Sequence, residues 1–328
     1  MALVNPSSSS AEAARQSRSP GGRPIEPLDP ALTTIQPGGG WVMSLELAWG
    51  RLRRRWLRTL FRHHVDRMRR LRQGTQGGCP FDPVDPRDIK YYVNQSTYRW
   101  AAADDPFAWR SRLPFIRAGL AELLLIGGGL LLAAVFLAAW WWPLAVPFLV
   151  AAALVAWFFR NPRRAIPVES GLVVAPADGK VVSIRQFDDP ELGRAVEIGI
   201  FLSIFNVHVN RASVAGQVLG IRYRPGKFLN ALRPESSREN ESLEIRIEEP
   251  EPPYRVLRIR QITGAIARRI VCWAAPGDRL ERGEIYGMIK LGSRTELTLP
   301  WEAGLELCVA EQQMVKAGST VLARYGKA

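Results

Sequence analysis

Residues 195–204 read AVEIGIFLSI, a run of Val, Ile, Leu and Phe that is long enough for one buried β-strand. From residue 168 onward, similar short apolar runs alternate with Gly-containing turns, for example at residues 177–179 and 276–278. The further runs lie at residues 173–174, 180–184, 256–262, 267–273, 297–299 and 305–309. Many short strands separated by Gly turns predict a mainly β, compact sandwich or barrel-like domain over residues 161–328.

A long apolar segment precedes this domain. Between Gly119 and Phe159, Glu122 is the only ionisable residue. These 41 residues would extend about 60 Å as one helix, whereas a bilayer core needs about 30 Å. Three tryptophans and Pro143 in the middle favour a break at the membrane interface. We therefore expect an N-terminal α-helical membrane hairpin over residues 117–160, and a re-entrant hairpin in one leaflet stays open.

Arginines flank the apolar segment on both sides. Positive charge at both ends predicts that both ends lie in the cytoplasm. The sequence therefore predicts a protein of the cell membrane, with its β domain on the cytoplasmic face. The flanking residues are Arg112, Arg117, Arg160, Arg163 and Arg164.

The first 116 residues divide into three segments by composition. Residues 1–40 are rich in Ser, Pro, Gly and Ala, which predicts a disordered tail. Residues 41–73 combine ten arginines with apolar residues at helical spacing, which predicts a basic amphipathic helix. Such a helix suits an anionic lipid surface; packing on the protein itself is equally consistent, and nucleic-acid binding is a third reading. Residues 74–116 are interrupted by prolines and are expected to be a linker.

Charge and cysteine content narrow the function classes. The net charge of +13 favours an anionic partner. The three cysteines have no CxxC spacing, so neither a zinc site nor a disulfide framework is expected. No recognisable nucleic-acid fold accompanies the basic segment, so no nucleic acid is expected as a partner. Residues 1–15 lack the continuous apolar core of a cleavable signal peptide.

Two short motifs carry the strongest candidate chemistry. Residues 285–294 read IYGMIKLGSR, and the glycine before Ser293 permits a strained backbone at a nucleophilic serine. Residues 205–211 read FNVHVNR and hold His208, the one histidine outside the arginine-rich segment. A histidine suits acid–base chemistry near neutral pH, although a structural core histidine is as consistent with the residues alone.

A third motif, PADGKVV at residues 176–182, holds Asp178 in an Asp-Gly pair that is also an ordinary turn. In this order, the three motifs resemble phosphatidylserine decarboxylases of the short, bacterial and archaeal type. The sequence departs from the family's pattern at Ser242, where many relatives have Arg, and at Ile204, where Pro is commoner. Further runs that resemble the family lie at residues 158–164, 225–231, 239–241 and 264–271.

The resemblance implies that the chain makes its own cofactor. Ser293 Oγ would attack the Gly292 carbonyl, and elimination from the resulting ester would leave a β chain of residues 1–292 and an α chain of residues 293–328. The first residue of the α chain would become a pyruvoyl group that forms a Schiff base with the substrate amine. Neither a metal ion nor pyridoxal phosphate is implied.

The resemblance also implies roles for other side chains. Asp178 would support activation of the serine, and His208 would transfer protons, in the manner of an Asp-His-Ser arrangement. Relatives of the longer type carry a second histidine where this chain has Arg211, so the division of roles between His208 and Asp178 stays open. Asn206, Arg211 and Arg268 are candidates for substrate binding or support.

The implied activity is decarboxylation of phosphatidylserine in the membrane to phosphatidylethanolamine and carbon dioxide. The expected partners are this lipid and an anionic lipid surface. The α chain is expected to stay bound to the β chain, and a homo-oligomer is left open. Decarboxylation of a related phosphoserine lipid stays open, because the headgroup is shared. An uncleaved, non-catalytic, membrane-tethered β-barrel binding module is the alternative from another class.

Overall fold

The computed structural model describes residues 18–30, 32–39, 41–73, 82, 84, 99–101, 103–265, 269–290 and 292–326. The chain divides into two units. The β unit comprises residues 1–32, 164–202 and 210–328, and the helical unit comprises residues 33–163 and 203–209. The sequence predicts one domain over residues 161–328, whereas the structure groups the segment that carries His208 with the helices.

Short strands make up most of the β unit. In chain order, the strands of the described residues are β1 (Arg72–Gln73), β2 (Arg99–Trp100), β3 (Leu172–Val174), β4 (Gly179–Asp189), β5 (Gly193–Leu202), β6 (Val209–Arg211), β7 (Gly216–Arg224), β8 (Ser242–Glu248), β9 (Val256–Ile262), β10 (Arg269–Cys272), β11 (Arg279–Leu280), β12 (Ile285–Lys290), β13 (Ser293–Pro300), β14 (Leu305–Leu307), β15 (Met314–Val315) and β16 (Val321–Tyr325). The prediction of a mainly β fold is confirmed.

The main sheet has eight antiparallel strands in the order β11-β7-β8-β9-β13-β5-β4-β15 and curls into a half-barrel. Two three-stranded sheets have the orders β10-β12-β6 and β14-β16-β3, and β1 pairs with β2 in the helical unit. The strand predicted over residues 267–273 begins at Arg269 in the structure, and residues 266–268 lie outside the described part.

The two faces of the main sheet differ because side chains alternate along each strand. Leu297, Ile259 and Ile245 align across β13, β9 and β8, and all three are buried in the apolar core. We call this the inner face. Burial contributes about 1.5–3 kcal/mol for each such side chain. The opposite, outer face carries Arg294 and Glu296 of the same strand β13.

Ion pairs cover the outer face next to β13. Glu296 is 1% exposed and pairs with Arg260 and Arg294. Arg294 Nη2 also donates a hydrogen bond to Ser183 Oγ at 2.7 Å. A cleft of about 490 Å³ opens on this face, and its lining residues are Arg185, Gln186, Phe187, Glu197, Ser237, Arg238 and Arg260. The buried charges of this face are therefore matched by partners.

Residues 18–30 pack against the β unit. The backbone N–H of Glu26 donates to Leu219 O at 2.7 Å. Glu248 accepts hydrogen bonds from the Gly21 N–H at 2.9 Å and from Arg23 at 2.6 Å. The prediction of a disordered tail is therefore wrong for these residues, because their backbone and charged groups find specific partners on the sheet.

The arginine-rich segment forms two helices, α1 (Trp41–Leu60) and α2 (Arg62–Arg70), rather than the single predicted helix. The break at Phe61 lets arginines from both helices reach one acidic residue. Asp82 is 1% exposed and accepts hydrogen bonds from Arg58 and Arg69. Part of the arginine charge is thus balanced inside the helical unit.

Two apolar helices complete the helical unit. Helix α3 (Arg117–Ala138) has 22 residues and a mean hydropathy of 2.4, which is long and apolar enough to cross a membrane. Only 11% of its apolar window is buried, unlike the core helix of a soluble protein. Helix α4 (Trp142–Phe158) is shorter. In the β unit, a single turn of helix, α5 (Ser236–Glu239), precedes β8.

The segment predicted to be a linker over residues 74–116 is only partly described. A 3₁₀ helix spans Ala108–Arg112. Residues 74–81, 83, 85–98 and 102 lie outside the described part.

Candidate active site

Ser293 is the first residue of β13 and is fully buried. Among the described residues, its Oγ has no hydrogen-bond partner. Gly292, directly before it, has a φ of 60°, in the left-handed region that favours glycine. The unpartnered hydroxyl of Ser293 therefore comes directly after a backbone conformation at Gly292 that costs energy for residues other than glycine.

The carbonyl of Gly292 packs closely against Gly264, just beyond the end of β9. A Cβ built on Gly264 would lie 2.3 Å from Gly292 O. Real side chains do not approach an oxygen this closely, so only glycine at position 264 leaves room for this carbonyl.

Polar side chains replace the apolar core at the Ser293 end of the inner face. Asn210 Nδ2 donates to Thr295 Oγ1 at 3.2 Å, and Asn210 Oδ1 accepts from Gln261 Nε2 at 2.9 Å. All three side chains are fully buried. We call this end of the face, with Ser293, the polar end. Its mutually bonded groups give a fixed surface beside the serine.

Asp178 is buried in the turn between β3 and β4 and is fixed by two donors. Arg164 Nη2 lies 2.9 and 2.7 Å from its two oxygens, and the Ala317 N–H donates to Oδ1 at 2.8 Å. Burial lowers the pKa of the nearby Arg211, and the charge of Arg164 lowers it further, although Asp178 opposes this. Arg211 also donates to Gly283 O at 2.8 Å. The structure thus joins Asp178 to Arg164 and to the C-terminal part of the chain.

His208 is fully buried in the helical unit. Its Nδ1 lies 2.9 Å from Asn206 O, a hydrogen bond when that nitrogen carries the proton. Burial lowers the pKa of His208 from 6.5 to about 4; the Asn206 carbonyl opposes this shift, and the charge of Arg160 adds to it. The ring of Phe158 packs with its centroid 4.6 Å from that of His208. At neutral pH the imidazole is therefore uncharged.

The loop before His208 is shaped by its own side chains. Asn206 Oδ1 accepts hydrogen bonds from the Ser203 backbone N–H and hydroxyl, both at 2.8 Å. Arg160 Nη2 donates to Phe205 O at 2.8 Å. Asn206 therefore holds the imidazole through its carbonyl and closes the turn through its side chain.

Comparison with known proteins decides the family of this chain. The model of the family "Phosphatidylserine decarboxylase" matches residues 151–323. The chain is also 60% identical over 237 residues to a phosphatidylserine decarboxylase proenzyme of Rhodopirellula baltica, across 72% of this chain and 99% of that relative. This chain belongs to the phosphatidylserine decarboxylase family. The resemblance read from the sequence motifs is confirmed.

Two further phosphatidylserine decarboxylase proenzymes are also similar to this chain. That of Trichlorobacter lovleyi is 47% identical over 186 residues, across 56% of this chain and 83% of its own length. That of Symbiobacterium thermophilum is 46% identical over 175 residues, across 53% of this chain and 80% of its own length. The family is one of carboxy-lyases, as predicted.

The residues predicted from the phosphatidylserine decarboxylase motifs fall in both units. Ser293, Asp178 and Arg211 lie in the β unit, where Arg164 binds Asp178 and the charges of both act on Arg211. His208 and Asn206 lie in the helical unit and contact each other. The candidate Arg268 lies outside the described residues. Across the described ranges, no group of three or more His, Cys, Asp or Glu side chains is arranged to hold a metal ion.

Sequence reasoning about this decarboxylase-family chain missed two features of the site. The sequence indicates Arg164 as positive charge beside the apolar segment and as part of a run that resembles the family, but not as the partner of Asp178. The polar end of the inner face was not predicted either. A signal for it exists, because Gln261 and Thr295 occupy core-facing positions of strands that are otherwise apolar on that side.

Proposed function

We propose that this protein cleaves itself between Gly292 and Ser293 and then decarboxylates phosphatidylserine to phosphatidylethanolamine and carbon dioxide. The observation that carries the proposal is the buried, unpartnered Ser293 Oγ directly after a left-handed glycine, in a chain of this family. Similarity to proteins named proenzymes supports the cleavage.

Self-cleavage requires a hydroxyl oxygen that can reach the preceding carbonyl carbon. Ser293 Oγ has no hydrogen bond to a described residue that it would have to break before attacking the Gly292 carbonyl. The Oγ proton is lost, the Ser293 nitrogen leaves with a proton, and an ester joins the two residues. Elimination then removes the Ser293 Cα proton, breaks the bond between Ser293 Cβ and Oγ, and releases Gly292 as a carboxylate. The dehydroalanine left at position 293 becomes an imine, which water hydrolyses to the pyruvoyl group with loss of ammonia.

Position 293 fits a pyruvoyl group, because Ser293 is enclosed and its Oγ is held by no described residue. Such a group would supply a sink for the electrons of the bond that breaks when carbon dioxide leaves. The polar end of the inner face would bind and orient the headgroup beside it. Arg268 remains a candidate for binding the lipid phosphate or carboxylate.

His208 and Asp178 take different roles in this proposal. His208 is the proposed proton acceptor for serine activation, since burial keeps its imidazole neutral at neutral pH. Asp178 is a positioning residue that binds Arg164 and the Ala317 N–H. Because Ala317 belongs to the future α chain, this contact supports the pairing of the two chains after cleavage.

We also propose that the protein resides in the cell membrane, with the β unit on the cytoplasmic face and α3 and α4 as the two arms of a hairpin. The length and hydropathy of α3 support this, as do the arginines at both flanks. Apolar side chains at helical spacing are exposed along α1 and suit a lipid surface. They are Trp49, Leu52, Trp56 and Leu60.

A lipid assay tests the catalytic proposal. We expect purified protein in vesicles to release carbon dioxide from phosphatidylserine, and the Ser293→Ala variant to release none. An ether-linked phosphoserine lipid in a parallel assay distinguishes the related substrate. Equal release by Ser293→Ala and the wild type would contradict the pyruvoyl mechanism, and no release from either lipid by a cleaved wild type would contradict the assigned substrate class.

A further inference from the structure

Glu241 lies in the same row of the main sheet as the cleavage serine. Arg294, Ile262 and Ser242 align across β13, β9 and β8. One position further, the Thr263 N–H donates to Glu241 O at 3.0 Å, which continues the pairing beyond the strand ends. Opposite residues of antiparallel strands share a face. Ser293, Thr263 and Glu241 therefore form one row at the polar end of the inner face.

A second contact confirms the face on which the Glu241 side chain lies. Tyr223 of β7 is opposite Leu243, an inner-face core residue of β8. The Tyr223 hydroxyl and the Glu241 carboxyl group each shift the pKa of the other, so the two groups are neighbours. A tyrosine on the inner face can reach this carboxylate only if the carboxylate is on the inner face too.

The carboxyl group of Glu241 is buried away from solvent. Glu241 is 3% exposed, and its Oε1 has no hydrogen-bond partner among the described residues. A buried carboxyl oxygen without a partner is costly, so such a group points to a functional role. Burial raises the pKa of Glu241 to about 7, while the neighbouring Tyr223 hydroxyl opposes this. Tyr223, with a pKa raised to about 12, stays protonated beside it.

The spacing of the row indicates what this carboxyl group can contact. Adjacent strands are about 4.8 Å apart, so the backbones of Ser293 and Glu241, two strands apart, are separated by about 10 Å. This is too far for the carboxyl group to touch Ser293 Oγ directly. A small polar headgroup attached at position 293 would reach Glu241 by extending across Thr263.

We propose that Glu241 is the proton donor that completes decarboxylation, by protonating the α carbon of the substrate headgroup. This inference rests on the proposed function. The bond from the α carbon to the carboxylate breaks, carbon dioxide leaves, and the α carbon takes the proton of the Glu241 carboxyl. Glu241 then regains a proton from water, so each turnover consumes one proton. Because the pKa of His208 is low, the fraction of His208 that is protonated at neutral pH is too small for this step.

The test compares Glu241→Gln with Glu244→Gln, the same substitution on the outer face of the same strand. For full-length protein in phosphatidylserine vesicles, we expect both variants to be cleaved at Ser293 like the wild type. Glu241→Gln should lose about 100-fold in kcat with KM within about threefold, the range expected for a lost general acid. Glu244→Gln should keep both constants. Glu241→Asp, which retains a carboxyl group, should recover part of kcat.

Infrared spectroscopy provides a readout that is independent of turnover. We expect a protonated carboxyl band at pH 6 that declines through pH 7 to 8, is absent in Glu241→Gln and is present in Glu244→Gln. The kcat of the wild type should decline over the same pH range, because the protonated form is the donor. Glu241→Asp should keep a titrating band.

Each outcome bears on the proposal separately. Wild-type kcat in a cleaved Glu241→Gln variant, or equal losses in Glu241→Gln and Glu244→Gln, would overturn the role of Glu241 and leave the proposed function intact. A further result would also overturn the role of Glu241: Glu241→Gln and Glu241→Asp stay uncleaved while Glu244→Gln is cleaved. The proposal predicts normal cleavage in all three, because the row spacing keeps Glu241 away from Ser293 Oγ. An uncleaved wild type would overturn the proposed function and this inference together.

Discussion

The imidazole of His208 loses its charge mainly through burial, and the cation Arg160 contributes less. The same cause acts in the opposite direction on Glu241, whose buried carboxyl group is more easily kept protonated. Burial thus keeps the histidine neutral and favours the protonated form of the carboxyl group at the same pH. Pairs of groups whose pKa values are shifted apart in this way are a recurrent property of acid–base active sites.

The shift at His208 predicts a pH-dependent stability. An unfolded chain binds a proton at His208 near pH 6.5, whereas the folded protein resists protonation until about pH 4. The stabilising contribution is complete above pH 6.5 and is lost as pH falls through 4, by about 3 kcal/mol in total. We expect the unfolding free energy of the wild type to fall more steeply between pH 6.5 and 4 than that of His208→Gln. Parallel curves from denaturant titrations would contradict the burial of a neutral imidazole.

Sequence motifs were sufficient to identify the candidate residues but not their environments. Ser293, His208 and Asp178 can be named from short local runs, because the chemistry needs those side-chain types. The pairing of Asp178 with Arg164, and the burial that shifts the pKa of His208, depend on chain segments that meet only after folding. Glu241 could be listed as part of a motif, but its row with Ser293 follows only from the strand register.

At the scale of elements, hydrophobic periodicity predicted the positions of β-strands better than it predicted where helices begin and end. The Val- and Ile-rich run at residues 195–204 lies largely within β5, because its buried alternation is a local property. The arginine-rich helix was predicted as one piece and is two. Its break at Phe61 accompanies the contacts of both helices with Asp82, a tertiary cause that periodicity does not contain.

The apolar helices give a prediction at this scale. If α3 and α4 form a membrane hairpin, the protein should stay with the membrane fraction after alkaline carbonate washing, because its apolar surface has no favourable place in water. A protein held only by its arginines would be released by high salt, since screening weakens surface charge attraction. Release by salt alone, measured by sedimentation and immunoblotting, would contradict the hairpin.

For the whole molecule, the proposed cleavage would cut the chain without separating the sheets. The future α chain contributes β13 between β9 and β5, and its β16 lies between β14 and β3. The α and β chains could separate only if these two central strands lost their hydrogen bonds to neighbouring strands, so the two chains should remain assembled. The N-terminal residues 18–30 also pack on the β unit, although their composition predicted disorder. Composition does not contain the specific ion pair and backbone hydrogen bonds that hold them there.

The measurement that tests the central claim most directly is denaturing mass spectrometry of the purified protein. We expect a fragment of residues 293–328 that is lighter than a serine-terminated peptide by the mass of one ammonia, because a ketone replaces the amine. We also expect residues 1–292 as the second species and an intact chain for Ser293→Ala. A single intact species from the wild type, or a 293–328 fragment with the mass of a serine terminus, would contradict formation of the pyruvoyl group.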